Sequence, residues 1–369
     1  MRVCFVVSQL FAWGKYGGFG SLTRMLGREL VKRGVEVFAV VPRRAGQHRM
    51  ETLDGIRVLG FPQWTLGLGS RQLYASCSAD VYHSEEPSSS TWIAMKAMPN
   101  RKHVVTCQDP RDTRGWLTHF RYEAPRRKLY FPATYLFEEN YFTTRAVRNA
   151  DAVHCQAKCV TQKAQAKYGL SQEPGFLPNP VEVPTRTPRK AKRPTVCFLG
   201  RWDRIKRPEI FLELAKHYPK VRFIALGSSE DRKWDTHLRT AYRDVSNLEM
   251  TGFVDQFSDK RLWNILEESW VMINTSAIEC LPVSFLEAAA YRCAILSFHN
   301  PDGFAQDFGY HVKNGQLEQG LDFLLSSDEW RPRGEAGYEY VNTTHEVSVV
   351  IDRHLNLYEA VLEENRLAC

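Results

Sequence analysis

The sequence lacks the patterns that mark several common classes of protein. It has no run near the ~18 apolar residues of a membrane-spanning helix. No helix-turn-helix, zinc-finger or RNP-like pattern is present, which argues against nucleic acid as a partner. The nine cysteines form no metal-ligand pairs, and their odd number and irregular spacing favour reduced thiols. The first residues resemble a strand rather than a signal peptide. Because reduced thiols are typical of the cytoplasm, we expect a cytoplasmic protein, soluble or peripheral at the membrane. No metal site is expected.

Length and composition predict two folded domains. A chain of 369 residues exceeds a usual single domain, and 43% apolar residues suffice for two cores. Short apolar strands alternate with amphipathic helices in both halves, the pattern of parallel sheets covered on both faces. We therefore predict an α/β protein of two doubly wound, Rossmann-like domains that face one another across a ligand-binding cleft.

Apolar runs and 3.6-residue periodicity define the predicted elements. Strands are predicted at residues 2–8, 35–41, 56–61, 80–83, 103–107, 152–155, 195–199, 221–226, 248–251, 271–274 and 294–297. Helices are predicted at 21–32, 208–217, 235–243, 259–268 and 282–291. Five prolines between residues 177 and 194 indicate a solvated linker. The predicted division is a first domain at 1–180, a linker at 181–194, a second domain at 195–344 and a last helical segment at 345–369.

Two glutamates, Glu279 and Glu287, lie on either side of a predicted helix start. Leu281 directly precedes this helix, and Pro282, Val283 and Ser284 open it. Proline suits a first helical turn, and the unpaired N–H groups there attract an anion. Ionised carboxylates accept hydrogen bonds from sugar hydroxyls, so the segment fits a nucleotide-sugar. A capped helix with two solvated glutamates is the alternative interpretation.

Two cations, Arg201 and Lys206, follow the first strand of the second domain. Placed five residues apart on one loop, they are able to converge on a diphosphate and neutralise a leaving group. Basic residues that merely precede a helix are the weaker alternative, because a cation there opposes the helix dipole. Arg204 and Arg207 are interpreted as surface charges.

These motifs resemble the E-x7-E and G-R-x4-K signatures of the retaining glycosyltransferases of family 4, which have the two-domain GT-B fold. The resemblance implies transfer of a sugar from a UDP- or GDP-linked donor to an acceptor hydroxyl, with no required cofactor. It assigns Glu279 to the donor sugar, Glu287 to the ribose, and Arg201 and Lys206 to the diphosphate. It also implies that the last helix returns to the first domain. Cys280 stands where the family often has glycine.

Further positions gain a role through this resemblance. The family's Gly-Gly pair, which lines the donor phosphates and the acceptor pocket, matches Gly17 and Gly18. Its base-contacting segment matches Gly252, Phe253 and Val254. Taken alone, the glycine cluster is a weak signal that a plain flexible loop would also explain, and residues 252–254 are equally consistent with an ordinary turn.

The sequence departs from the family at the end of the strand predicted at 103–107. Many relatives have a histidine there, whereas this chain has Gln108, or Cys107 if the register shifts. Glutamine donates and accepts hydrogen bonds but cannot act as a base. In front-face retaining transfer the departing phosphate oxygen takes the acceptor's proton, so activity is not excluded. His83 and Asp109 are further candidates for acceptor binding, although a lone histidine is more often structural.

Residues 120–142 mix basic and aromatic side chains. The mixture predicts either an interfacial surface for a lipid-linked acceptor or a core-facing helix with solvated charges. Glu138 and Glu139 favour the second interpretation. Glycan, lipid-linked and small-molecule acceptors therefore stay open, together with peripheral membrane contact.

The predicted function is a retaining sugar transfer in glycan, glycolipid or polysaccharide synthesis. A GT-B phosphorylase would share the fold and the cationic pocket, and dependence on phosphate would identify it. A catalytically silent partner that binds nucleotide-sugar is the other alternative, and donor hydrolysis would argue against it.

Overall fold

The computed structural model of the protein describes residues 1–10, 18–43, 47–62, 68–326 and 328–363. They form two compact units. Unit 1 comprises Met1–Thr113, Leu129–Pro180 and Val347–Cys369, and unit 2 comprises Arg114–Lys128 and Val181–Glu346. Each unit contains one mainly parallel sheet with flanking helices, which confirms the predicted fold class.

The sheet of unit 1 has the strand order β3-β4-β2-β1-β5-β6-β7-β8. Its strands are β1 Arg2–Val6, β2 Glu36–Arg43, β3 Met50–Leu53, β4 Ile56–Pro62, β5 Val81–Ser84, β6 Lys102–Cys107, β7 Ala152–Cys155 and β8 Gly175–Phe176. Neighbouring strands are parallel except β3 and β4, which form an antiparallel hairpin. The short strands β3 and β8 were not predicted.

The sheet of unit 2 has the order β11-β10-β9-β12-β13-β14 and is parallel throughout its described pairs. Its strands are β9 Thr195–Leu199, β10 Arg222–Leu226, β11 Leu248–Gly252, β12 Val271–Asn274, β13 Ala294–Ser297 and β14 Gly309–His311. The first five agree with the predicted strands to within one residue at each end. Because parallel strands end at one edge of a sheet, the loops after β9, β10 and β12 lie near one another.

The α-helices of the described residues number sixteen in chain order. They are α1 Gly18–Lys32, α2 Arg71–Cys77, α3 Ser89–Ala97, α4 Thr113–Tyr122, α5 Pro125–Lys128, α6 Phe131–Glu138, α7 Tyr141–Arg148, α8 Thr161–Tyr168, α9 Pro208–His217, α10 Arg232–Tyr242, α11 Arg261–Glu268, α12 Val283–Ala290, α13 Phe304–Asp307, α14 Leu317–Ser326, α15 Trp330–Thr344 and α16 Val347–Glu363. Helix α10 begins three residues before the predicted start, because the carboxylate of Asp231 accepts from the Trp234 N–H and caps it.

The core of unit 1 follows the alternation of its central strand. Val3 and Phe5 pack on the side of the sheet that α16 covers, where Ile351 and Tyr358 are buried. Cys4 and Val6 pack on the opposite side, in a second apolar cluster. The last helix therefore belongs to unit 1, as the resemblance implied.

The segment predicted as a solvated linker, 181–194, is instead part of unit 2. The Lys190 ammonium donates to the carbonyls of Leu266 and Ser269, at 3.1 and 2.5 Å. The Trp270 indole N–H donates to the Ala191 carbonyl at 2.8 Å. These side-chain contacts fix the segment, and a proline count does not reveal them.

Within the described ranges, every helix is too short or too polar to cross a membrane. The eight cysteines found in those ranges are all free thiols.

Candidate functional site

The loops after β9 and β10 cross at two glycines. Gly200 and Gly227 have φ angles of 157° and 137°, and a side chain on Gly227 would lie 1.9 Å from the Gly200 carbonyl oxygen. Backbone hydrogen bonds join the two loops, from Gly200 N to the Leu226 carbonyl and from Trp202 N to the Ser228 carbonyl. Only glycine allows so close an approach, and this crossing positions the segment that carries Arg201.

Arg207 ties the loop after β9 to the loop after β12. Its guanidinium donates to the carbonyls of Thr275 and Ser276, at 2.6 and 2.8 Å. The Thr275 hydroxyl donates in return to the Lys206 carbonyl at 2.8 Å. The interpretation of Arg207 as a surface charge was therefore wrong, since it holds the loops that carry Lys206 and Glu279.

Lys206 and Glu279 meet directly. The Lys206 ammonium lies 2.5 Å from Glu279 Oε1, which also accepts from the Ser276 hydroxyl at 2.6 Å and from the Asn274 amide at 3.2 Å. Burial favours the neutral form of Glu279, but the charge of Lys206 and these hydrogen bonds outweigh it, and the pKa of Glu279 lies below its usual value. The site therefore holds an ionised carboxylate against a cation.

The other two arginines of this loop have partners of their own. Arg201 pairs with Asp203 at 3.1 Å and keeps about one-third of its side chain exposed. Arg204 pairs with Asp231 at 2.8 Å and stacks over Trp234. Arg201 thus remains accessible to an anion at the carboxyl end of β9.

Helix α12 starts one residue later than predicted. Pro282 precedes it, with a φ of −74° but an extended ψ of 142°, so Val283 and Ser284 form the first helical positions. Their N–H groups have no acceptor inside the helix. Leu281 is buried just before this start. The structure thus places a helix amino terminus beside the loop of Glu279.

Glu287 is buried on α12. Burial, and then the negative charge of Glu182, raise the pKa of Glu287 to about 7. A carboxyl group with this pKa changes its charge near neutral pH.

Of the glycine-containing segments, Gly252 ends β11 with a φ of 81°, and its carbonyl accepts from the Gly227 N–H at 2.9 Å. Phe253 is partly exposed, whereas Val254 is buried. Gly18 is the first residue of α1, and Gly17 lies outside the described residues.

In unit 1, Gln108 is half-buried at the centre of a side-chain hydrogen-bond network. Its Nε2 donates to Glu85 Oε2 at 2.9 Å, and its Oε1 accepts from the Asn179 amide at 3.0 Å. Its backbone N–H donates to Glu86 Oε2 at 2.6 Å. Burial raises the pKa of Glu85 to about 7. Burial together with the charges of Asp109 and Glu138 raises the pKa of Glu86 to about 8.

The two other acceptor candidates differ in accessibility. His83 is fully buried, with Nδ1 2.7 Å from the Tyr358 hydroxyl and Nε2 2.8 Å from the Thr106 hydroxyl. Burial lowers the pKa of His83 well below its usual value. Asp109 is part-exposed and pairs with Arg111 at 2.7 Å.

One group in the described residues has the composition of a metal site. Its members are His83, Glu85 and His354, whose ligand atoms lie within 4.8 Å of one another. Both ring nitrogens of His83 are already occupied by hydroxyl groups. His354 Nδ1 lies 2.8 Å from the Val350 carbonyl oxygen, so it donates there. These ring nitrogens therefore make structural contacts, and the cluster is explained by the packing of β5 against α16.

Two family models match successive parts of the chain. Residues 16–183 match "Glycosyltransferase Family 4", and residues 182–332 match "Glycosyl transferases group 1". A search of curated proteins by sequence finds no match.

Solved structures with the same fold include sucrose-phosphate synthase (tll1590) from Thermosynechococcus elongatus. It is 14% identical with a TM-score of 0.74, covering 99% of this chain and 100% of its own. Anabaena Alr3699/HepE, solved with UDP-glucose, is 12% identical with a TM-score of 0.70, covering 98% and 100%. The catalytic domain of starch synthase IV from Arabidopsis thaliana, bound to ADP and acarbose, is 12% identical with a TM-score of 0.61, covering 98% and 99%.

The fold and the family models define a glycosyltransferase of the GT-B class. The chain belongs to the family 4 type of these enzymes, within the glycosyl transferases of group 1. The resemblance of the sequence to family 4 and to the GT-B fold is thereby confirmed.

Proposed function

We propose that the enzyme transfers a sugar from a nucleotide diphosphate sugar to an acceptor hydroxyl with retention of configuration, without a metal. The observation that carries the proposal is the contact between Lys206 and Glu279 beside the start of α12. A cation and unpaired helix N–H groups suit a diphosphate, and the adjacent carboxylate suits sugar hydroxyls. The complex of Anabaena HepE with UDP-glucose makes a UDP-sugar the first donor to test.

Each residue has a defined part in the proposed reaction. Arg201 and Lys206 neutralise the diphosphate as the bond from the anomeric carbon to the phosphate oxygen breaks. Glu279 orients the sugar, and Glu287 accepts from the ribose. The acceptor oxygen attacks the anomeric carbon from the same face, and its proton passes to the departing phosphate oxygen. No protein base is needed for this step, so the glutamine at position 108, where many relatives have a histidine, is compatible with activity.

The proposal is tested by incubating the full chain with UDP- and GDP-sugars and following the products by NMR. We expect slow donor hydrolysis in which the first released sugar keeps its anomeric configuration. An inverted first product would refute the retaining mechanism. A dependence of turnover on inorganic phosphate would favour a phosphorylase, and donor binding without any hydrolysis or transfer would favour the silent partner.

The ribose assignment predicts that the affinity for UDP-glucose rises with pH. Ribose hydroxyls donate to the ionised form of Glu287, and its pKa is about 7. UDP-glucose lacks the second ionisation of a phosphate monoester, so the charge of the donor itself does not change near neutral pH. We expect a gain of roughly tenfold between about pH 6 and about pH 8, measured by calorimetry.

A matched pair of variants isolates this effect. Glu287→Gln should bind UDP-glucose with a nearly constant affinity over the same interval. Glu318→Gln, at a half-exposed position of unit 2, should keep the wild-type pH profile. An unchanged pH profile in Glu287→Gln would remove the ribose assignment.

A further inference from the structure

Helix α6 of unit 1 is apolar in sequence and yet has no buried residue. Large apolar side chains within and beside it face solvent, and we call them the exposed aromatic surface. They are Leu129, Tyr130, Tyr135, Leu136, Tyr141 and Phe142, with exposed fractions of 81, 72, 42, 61, 68 and 52%. Contiguous apolar exposure of this kind is characteristic of an interaction site.

The exposed aromatic surface is firmly attached to the rest of unit 1. Asn140 caps α7 by accepting from the Thr143 N–H at 2.9 Å, and its amide donates to the Leu136 carbonyl at 2.9 Å. The Ser89 hydroxyl at the start of α3 donates to the Phe137 carbonyl at 3.1 Å. These bonds hold α6 and α7 in a fixed arrangement, so the exposed apolar side chains occupy defined positions on the surface of unit 1.

The acidic side chains beside this surface are paired, whereas two basic side chains near it are exposed. Its two acids are paired within unit 1, Glu138 with Arg111 and Glu139 with Lys167. Two exposed cations stand over the Trp92 ring, Lys96 at 4.6 Å and Arg145 at 5.7 Å from its centroid. The acids are thus neutralised, whereas Lys96 and Arg145 are available to an anionic partner.

We propose that the exposed aromatic surface binds an anionic lipid bilayer, so that the enzyme acts on an acceptor anchored in a membrane. The statement that the sugar acceptor is anchored in the membrane rests on the proposed function. The binding of this surface to the bilayer does not. Tyrosine rings with a polar tip suit the headgroup region, leucine and phenylalanine suit the acyl boundary, and cations attract anionic headgroups. A second copy of the chain is a poorer occupant, because a symmetric contact would bring like charges together.

Vesicle sedimentation with the full chain tests the proposal. Vesicles of phosphatidylglycerol and phosphatidylcholine in equal parts should bind the protein, pure phosphatidylcholine should bind it less, and added salt should weaken binding. The triple variant Leu129→Ser, Tyr130→Ser, Leu136→Ser should lower the partition coefficient by roughly tenfold or more, because three apolar side chains no longer insert. Met50→Ser, which removes a 69% exposed apolar side chain from β3 of the same unit, serves as the matched control.

The outcomes separate this proposal from the enzymatic one. Absence of binding to anionic vesicles, or equal loss of binding in Met50→Ser, would overturn the membrane surface whatever the sugar-transfer activity. Self-association of the wild type that the triple variant abolishes, without vesicle binding, would assign the surface to a second copy instead. Vesicle binding in a protein that transfers no sugar would uphold the surface and refute the proposed function.

Discussion

Replacement of Lys206 by alanine is expected to lower the rate of sugar transfer by about 10²–10³-fold. In the proposed reaction Lys206 supplies a positive charge beside the leaving diphosphate, and that charge matters most when the glycosidic bond is nearly broken. The loss should therefore appear mainly in kcat, measured with saturating UDP-sugar. The matched control is Lys216→Ala, since Lys216 lies on the same unit in a half-exposed pair with Glu213. Transfer at the wild-type rate in Lys206→Ala would contradict the phosphate role.

The same substitution has a second effect that must be separated from the first. Glu279 is only 10% exposed at its side chain and loses its cation in Lys206→Ala. Removing one partner of a buried pair costs about 3–5 kcal/mol of stability when the other charge stays. When Glu279 is already replaced by Gln, the loss of stability caused by Lys206→Ala should be smaller. Urea unfolding of the single and double variants would measure this difference. A kcat loss that exceeds any loss of folded protein belongs to catalysis.

Local sequence signals predicted most of the central strands, because four or more apolar residues between turn residues have few other interpretations. They missed β3, although a hairpin signal was present. Asp54 and Gly55 have φ angles of 51° and 82°, the geometry of a two-residue turn that favours Asp-Gly. The strands β8 and β14 span two and three residues, too few for any periodicity.

The sequence motifs single out the candidate residues but do not reveal the contacts among them. Lys206 and Glu279 each belong to a recognisable motif, yet they lie 73 positions apart, and their direct ion pair follows from the parallel order of β9 and β12. Gln108 and Asn179 are separated by 71 positions, and no local pattern joins them. Arg207 was misjudged for the same reason, because its partners are backbone carbonyls that carry no sequence signal.

Replacement of Gly227 by alanine is expected to destabilise unit 2 by about 3 kcal/mol or more. The new side chain would lie 1.9 Å from the Gly200 carbonyl oxygen, which belongs to the backbone and cannot rotate away. The φ of 137° adds a strain that alanine tolerates poorly. Urea unfolding should show a lower midpoint for the transition of unit 2.

Gly315→Ala is the control that separates the steric clash with the Gly200 carbonyl oxygen from the strain of a positive φ. Gly315 also has a positive φ, 72°, but an added side chain there meets nothing within 4 Å. Its substitution should cost only about 1–2 kcal/mol, the usual penalty for a left-handed alanine. Similar losses in the two variants would mean that the crossing of the loops is not tightly fixed. A much larger loss of stability in Gly227→Ala than in Gly315→Ala would show that the crossing of the loops after β9 and β10 is tightly fixed. The segment that carries Arg201 depends on this crossing. Any Gly227→Ala protein that remains folded should therefore also bind UDP-glucose more weakly.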